Sequence, residues 1–420
     1  MEPNLSQSAT TPEAPPADAL AVDGLPPPAQ VMQVAGNELR LFTESRALLE
    51  AMLADLHAAH ERIWLEAYIF GDDAAGRAVA RALGERAAAG LDVRLLYDAV
   101  GSQATPSAFF DALAADGVRV HADHTIWDAL RRVALFQVMN RRNHRKLLVV
   151  DERVAYFGGM NVVEPPPAAA SETSAASTVL GPGSKPSETG WRDVHVRLSG
   201  PQSVEVAESF IRSWRRAHRE PIRPRSRAYR RGLLPAGTGE TIRFFDSGPG
   251  WKFSRAARIF PRLFARAQST ILLSMAYFLP TPRVLRALFR ARRRGSQVRV
   301  IVPGNSDVKL VEWATRHLYG KLLRRGIELY ERQRRMLHSK VLVVDGQWSV
   351  VGSCNLDARS LRINYEFLAV IRSTTFAAAL TAICEEDIRH SQRITAEHVT
   401  GRNRWRRWRD RCAYVLRWWL

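Results

Sequence analysis

The strongest constraint on what this chain can fold into is an internal duplication. Six blocks occur twice, in the same order. "LRLFTES" (39–45) is echoed by "IRFFDSG" (242–248), and "ERIWLEAYIF" (61–70) by "STILLSMAYFL" (269–279), which aligns Tyr68 with Tyr277. "DVRLLYDAVGS" (92–102) matches "QVRVIVPGNSD" (297–307), and "GVRVHAD" (117–123) matches "GIELYER" (326–332). "NHRKLLVVDERVAYFGGMNV" (143–162) matches "LHSKVLVVDGQWSVVGSCNL" (337–356), and "RDVHVRLSG" (192–200) matches "YEFLAVIRS" (365–373). Short β-rich runs alternate with helical segments such as "RALLEAMLADLHAAH" (46–60) and "RVLRALFRARRRG" (283–295). Such alternation predicts α/β units, each a mixed or parallel sheet flanked by helices. One unit used twice predicts two pseudo-symmetric lobes, 36–212 and 239–400, with a site at their interface. A densely basic stretch inside 213–238 is expected to link them.

The flanks read differently. Residues 1–35 are rich in Pro, Ala, Ser and Thr and are expected to be a disordered tail. A second low-complexity stretch, 164–190, interrupts the first lobe; it is either a lid or a tolerated surface insertion. The chain of 420 residues is 46% hydrophobic and 25% charged, enough for two lobes with a sizeable core. Its net charge of +19 points to anionic partners: nucleic acid, an anionic lipid surface, or phosphate-bearing substrates. Cys354, Cys384 and Cys412 are odd in number and widely spaced, which argues against a disulfide framework or zinc site and fits a reducing compartment. The N-terminus lacks the basic and apolar regions of a signal peptide. No run of about 18 apolar residues occurs, so no membrane-spanning helix is expected.

The chemistry sits in the fifth block. The first copy carries His144, Lys146, Asp151, Gly158, Gly159 and Asn161; the second carries His338, Lys340, Asp345, Gly352, Ser353 and Asn355. One HxK pair is weak evidence. HxKxxxxD followed by G-[GS]-x-N, present twice at one offset, is strong. Side chains alternate along an extended chain, so His and Lys share a face and the Asp points to the other. Asp151 and Asp345 are therefore expected to tie down the turn after the strand. The small residues Gly158, Gly159, Gly352 and Ser353 are expected to let a ligand approach the backbone, with Asn161 and Asn355 supplying amide donors.

Two His, two Lys and two Asn without an acidic metal cluster suit a phosphodiester. Lysine and asparagine stabilise its non-bridging oxygens as charge builds. A neutral imidazole can attack phosphorus, and a protonated one can hand its proton to the leaving oxygen. A histidine's ordinary value of about 6.5 makes both forms reachable near neutrality. Such chemistry needs no metal and no cofactor. Each histidine also needs an acceptor on its other ring nitrogen. Asp193 and Glu366 occupy matching late-strand positions; Asp193 is assigned to His144 and Glu366 to His338, the alternative being that both are ordinary strand-end acids.

These motifs resemble those of the phospholipase D superfamily. "GSCNLDARSLRINYEF" (352–367), "PGNSD" (303–307) and "GWRDVHVRLSGP" (190–201) are similar to the bacterial cardiolipin synthases within it, over roughly residues 36–400. The resemblance implies a two-lobed α/β fold and transfer of a phosphatidyl group through a phosphohistidine, typically from one phosphatidylglycerol to another. It also implies His144 as nucleophile and His338 as acid and base, although symmetry allows the reverse. A phospholipase D-type phosphodiesterase, acting on lipid or nucleic acid, is the alternative. Nucleic acid is the less favoured partner, because no aromatic base-stacking module is apparent.

The C-terminal stretch 401–420 suggests how a lipid is reached. Read as a helix, Trp405, Trp408, Cys412, Val415 and Trp419 form one stripe, and arginines including Arg406 and Arg409 crowd the other positions. This is expected to be an interfacial anchor on an anionic phospholipid bilayer, at the inner face of the cell membrane. The alternative is a terminal helix docked on the protein.

Overall fold

A computed structural model describes residues 31–123, 141–164, 190–218, 220–222, 239–250 and 254–418. Most of the expected tail (1–30), the low-complexity stretch (165–189), much of the basic linker (219 and 223–238) and Trp419 lie outside the described residues.

Two eight-stranded sheets carry the fold. In spatial order the first contains Val31–Val34, Asn37–Phe42, His195–Ser199, Val154–Gly158, Leu147–Val150, Arg62–Ala67, Asp92–Asp98 and Arg119–Asp123. The second contains Thr241–Ser247, Glu366–Arg372, Trp348–Gly352, Lys340–Val344, Thr270–Met275, Gln297–Pro303, Glu328–Arg332 and Ser391–Ile394. Setting aside the first strand of one and the last of the other, seven strands match place for place. Each sheet is mixed: Arg62–Ala67, Asp92–Asp98 and Arg119–Asp123 run parallel, while the HxK strand Leu147–Val150 pairs antiparallel on both sides. The first strand begins at Val31, inside the stretch assigned to the tail, because Met32 and Val34 bury alternate side chains there.

The runs "LLVV" and "VLVV" are buried along their whole length, as strands covered on both faces must be. One face of each sheet holds its own helices. The facing sides share a single core, in which Phe157 of the first sheet packs on Phe244 and Phe367 of the second with ring centroids 5.4 and 5.8 Å apart. The helices Ser203–His218 and Thr374–Arg389 fill the same layer with Phe210, Trp214, Phe376 and Leu380. The first of these runs through residues 213–218, so the start of the expected linker is helix.

Asp151 and Asp345 close the hairpins after the HxK strands. Each takes φ +53° at the first central position of the turn, followed by Glu152 at +52° or Gly346 at +60°. The Asp151 carboxylate accepts from the backbone N–H groups of His60, Glu61 and Arg62 at 2.8–2.9 Å. Asp345 does the same for Gln268, Ser269 and Thr270. These aspartates hold the turn to the neighbouring loop, on the side away from the histidines.

Candidate active site

The two HxK segments do not complete their sites within their own lobes. Asn143 forms a parallel bridge with Tyr365, His144 N–H donates to the Tyr365 carbonyl at 3.0 Å, and Tyr365 N–H donates to the Arg142 carbonyl at 2.8 Å. Across the interface Met336–Leu337 pairs in parallel with Trp191–Arg192, and His338 N–H donates to the Arg192 carbonyl at 2.7 Å. This backbone pairing brings each histidine beside the acid of the other lobe. His338 Nδ1 lies 2.6 Å from Asp193 Oδ2, and His144 Nδ1 lies 3.1 Å from both Glu366 oxygens. The assignment made from the repeat, Asp193 to His144 and Glu366 to His338, is thus reversed. Equivalent positions share a lobe, but the strand that receives each HxK segment comes from the opposite one.

The glycines also have a different reason than ligand approach. A Cβ on Gly158 would lie 2.6 Å from His195 Cα and the Val194 carbonyl, and one on Gly159 would lie 2.2 Å from Asp193 Oδ1. A Cβ on Gly352 would lie 2.2 Å from the Phe367 carbonyl. The neighbouring strand that carries the acid, not a ligand, occupies that space. Where the first lobe has Gly159, the second has Ser353, whose hydroxyl donates to Glu366 and accepts from Phe367 N–H at 3.1 Å. Asn161 Oδ1 accepts from Ile69 N–H at 3.3 Å; Asn355 is buried with its Oδ1 unpartnered among the described residues.

The lysines turn back on their own histidines. Lys146 Nζ donates to the His144 carbonyl at 2.7 Å, and Lys340 Nζ lies 2.8 and 3.0 Å from the two ring nitrogens of His338 and 3.7 Å from Asp193. Two aromatic walls went unassigned in the sequence. Tyr68 meets His144 edge-on with centroids 4.8 Å apart and lies under Lys146 Nζ, and Trp191 packs on His338 at 4.8 Å. The recurrence of Tyr68 and Tyr277 in matching blocks was the available signal for the first.

Burial sets the electrostatics. It holds His144 well below the ordinary histidine value, with Lys146, Lys340 and His338 pushing the same way. Burial and Lys340 also lower His338, although Asp193 pulls it back. Lys146 is pushed down to about 7 by burial and then by Lys340, and burial lowers Lys340 as well. The acids diverge. Burial raises Glu366 to about 7 despite Lys146 and Ser353. Burial also opposes the ionisation of Asp193, but Lys340 and His338 outweigh it and hold that carboxyl below its usual range. His338 therefore faces a firm anion, and His144 faces an acid that titrates near neutrality.

Two lobes that lend each other an acid, with paired histidines and lysines between them, define an enzyme of the phospholipase D superfamily. The family described as cardiolipin synthase, PLD-like domain, matches residues 52–165 and 261–388. Cardiolipin synthase A of Pseudomonas fluorescens is 32% identical over 370 residues, covering 87% of this chain and 71% of that protein. Cardiolipin synthase A of Pseudomonas aeruginosa is 34% identical over 370 residues, covering 87% and 69%. The chain belongs to this cardiolipin synthase family of phosphatidyltransferases. Among solved structures, phosphatidylserine synthase of Haemophilus influenzae superposes with a TM-score of 0.67 at 14% identity, covering 91% of this chain and 95% of that one. Polyphosphate kinase of Porphyromonas gingivalis gives 0.56 at 13% identity, covering 86% and 49%. Both establish likeness of fold.

Among the described residues no helix is long and apolar enough to cross a membrane. The C-terminal helix Arg404–Val415 is docked: Ala413 is buried, Tyr414 stacks on His317 at 4.7 Å, and Arg409 lies 4.2 Å over Trp313 and pairs with Asp410 at 3.0 Å. Arg409 is therefore engaged with the protein rather than free for lipid. Trp405 and Trp408 remain 63% and 62% exposed, beside the exposed Arg406.

Proposed function

We propose that the chain transfers a phosphatidyl group from phosphatidylglycerol to a second phospholipid or alcohol through a phosphohistidine. The observation that carries this reading is the crossed arrangement of His144–Glu366 and His338–Asp193. With each Nδ1 beside a carboxylate, Nε2 is the nitrogen that faces the reacting atoms, that of His338 with Lys340 Nζ 3.0 Å away. His144, kept neutral by burial, is the nucleophile: its Nε2 bonds to phosphorus as the bond to the glycerol oxygen breaks. His338, lowered by burial and Lys340 but pulled back toward its protonated form by ionised Asp193, gives its proton to that oxygen. It then takes the proton of the incoming alcohol, whose oxygen bonds to phosphorus as the phosphorus–nitrogen bond breaks. Lys146, Lys340, Asn161 and Asn355 hold the non-bridging oxygens. The substrate surface is the anionic bilayer, reached from the inner face of the membrane through the exposed tryptophans and Arg406 of the C-terminal helix.

The test is product analysis with labelled phosphatidylglycerol vesicles. Cardiolipin and glycerol are expected, and phosphatidic acid alone would replace this reading with hydrolysis. His144→Ala is expected to abolish turnover and leave no acid-labile phosphoprotein. His338→Ala is expected to slow turnover severely while a phosphoprotein still forms with an activated leaving group. A phosphoprotein in His144→Ala but not in His338→Ala would exchange the two roles.

A further inference from the structure

We propose a second anion site, separate from the two histidines, that takes a phosphate-bearing polar ligand. A cavity of about 400 Å³ opens at the lobe interface. Arg141 and Arg145 line it from the first lobe, Arg212 and Arg216 from the helix Ser203–His218, and Asp246 and Tyr365 from the second lobe. Four guanidinium groups line it against one lining carboxylate, Asp246; Asp123 and Glu66 stand behind Arg216 and Arg145, which leaves a surplus of one positive charge among these described residues. Arg145 is buried at 4% exposure; it donates to Ser213 Oγ and to the Glu366 carbonyl at 3.3 Å, and lies 3.4 Å from Asp246. Arg212 pairs with Asp246 at 2.6 Å. Arg216 donates to Asp123 at 2.8 Å and stacks 3.8 Å over the Tyr365 ring. Arg141 has no acidic partner among the described residues.

Gathering guanidinium groups around a half-enclosed space is costly unless an anion offsets it. Arginine forks match phosphate oxygens two at a time, which makes a phosphate group the fitting ligand. The volume is that of a polar headgroup or small phosphate ester, at the low end of ordinary ligand sites. Along the extended segment at 143–146 the side chains alternate, so Arg145 points away from the side shared by His144 and Lys146. The cavity nevertheless shares a wall with that site. Arg145 grips the Glu366 carbonyl, and Tyr365 forms the bridge to Asn143. A ligand that orders Arg145 and Tyr365 orders the segment that positions Glu366 against His144.

The inference does not depend on which reaction the histidines perform. The experiment is calorimetric titration of the full chain with two probes, sn-glycerol 3-phosphate and monomeric dihexanoyl phosphatidylglycerol. Two double variants are compared, Arg141→Gln with Arg212→Gln, and Lys146→Gln with Lys340→Gln. At least one probe is expected to bind the wild type and the lysine variant with similar affinity, and the arginine variant about tenfold or more weakly. Binding of glycerol 3-phosphate assigns the site to free phosphate esters, and binding of the short-chain lipid alone assigns it to a lipid headgroup. Should the double arginine variant fail to fold, the single Arg141→Gln variant, which breaks no ion pair among the described residues, carries the same comparison. Unchanged binding in the arginine variants, loss only in the lysine variant, or no binding of either probe to the wild type overturns the proposal.

Discussion

Lys146 and Glu366 are both poised at about 7, and their titrations act in the same direction on an anionic substrate. As pH rises through 7, Lys146 loses a positive charge and Glu366 gains a negative one. The free site becomes less cationic by both changes, so kcat/KM for an anionic lipid is expected to fall on the alkaline side of about pH 7. Burial is the first cause of both shifts, because a charged group gives up more hydration than it regains from its neighbours. Arginine stays charged throughout this range. Lys146→Arg is therefore expected to lower the maximum rate and to leave a shallower alkaline limb set by Glu366 alone, read from kcat/KM against pH. Glu366→Gln, which removes the second titration and keeps an acceptor for His144 Nδ1, is expected to flatten the limb. Limbs that stay in place in both variants would assign the titration to a different group.

At the level of elements, the small residues after each HxK hairpin decide whether the crossed pairs can form. Gly159 leaves room for the Asp193 carboxylate, and Ser353 reaches Glu366 with a hydroxyl. Gly159→Ala would drive a methyl group into Asp193 and turn it away from His338. A displacement of about 1 Å at a reacting group costs on the order of 10²-fold in rate, and a loss of that size is expected in turnover, with the fold retained by circular dichroism. Ser353→Gly copies the first-lobe pattern, removes one hydrogen bond to Glu366, and is expected to cost about tenfold. Equal losses in the two variants would mean that the acids are not held differently. The same elements mark how far the sequence could be read. The two α/β lobes, the HxK pairs and the turn role of Asp151 and Asp345 follow from local alternation and from the repeat. The partner of each histidine does not, because a repeat aligns equivalent positions without saying which copy supplies the neighbouring strand. Arg145 was hidden for a related reason: it reads as a spacer between two functional side chains, yet on the far face it links the Glu366 backbone to Ser213 and Asp246.

Across the whole molecule, the C-terminal helix lies on the helix Lys309–Leu323 through Trp313, His317, Ala413 and Tyr414. That supporting helix begins beside Asp307, which hydrogen-bonds Tyr277 and whose charge reaches His338 and Lys340. Val308 and Leu310 are exposed at the same end. A surface that inserts Trp405 and Trp408 into a headgroup layer would thus be connected through this helix to the neighbourhood of Asp307 and His338. Deleting the helix is a poor test, because it would uncover Trp313 and the core around Ala413. Trp405→Ser with Trp408→Ser leaves the docked face intact. Burial of an exposed indole contributes roughly 1 kcal/mol or more, so the pair is expected to weaken binding to phosphatidylglycerol vesicles about 30-fold. Turnover of vesicle substrate at low lipid concentration should fall in step, while turnover of detergent-dispersed substrate and the melting temperature stay near those of the parent. Vesicle binding that survives the double replacement would remove this helix as the membrane contact and leave charge alone, screened by salt, to hold the protein at the surface.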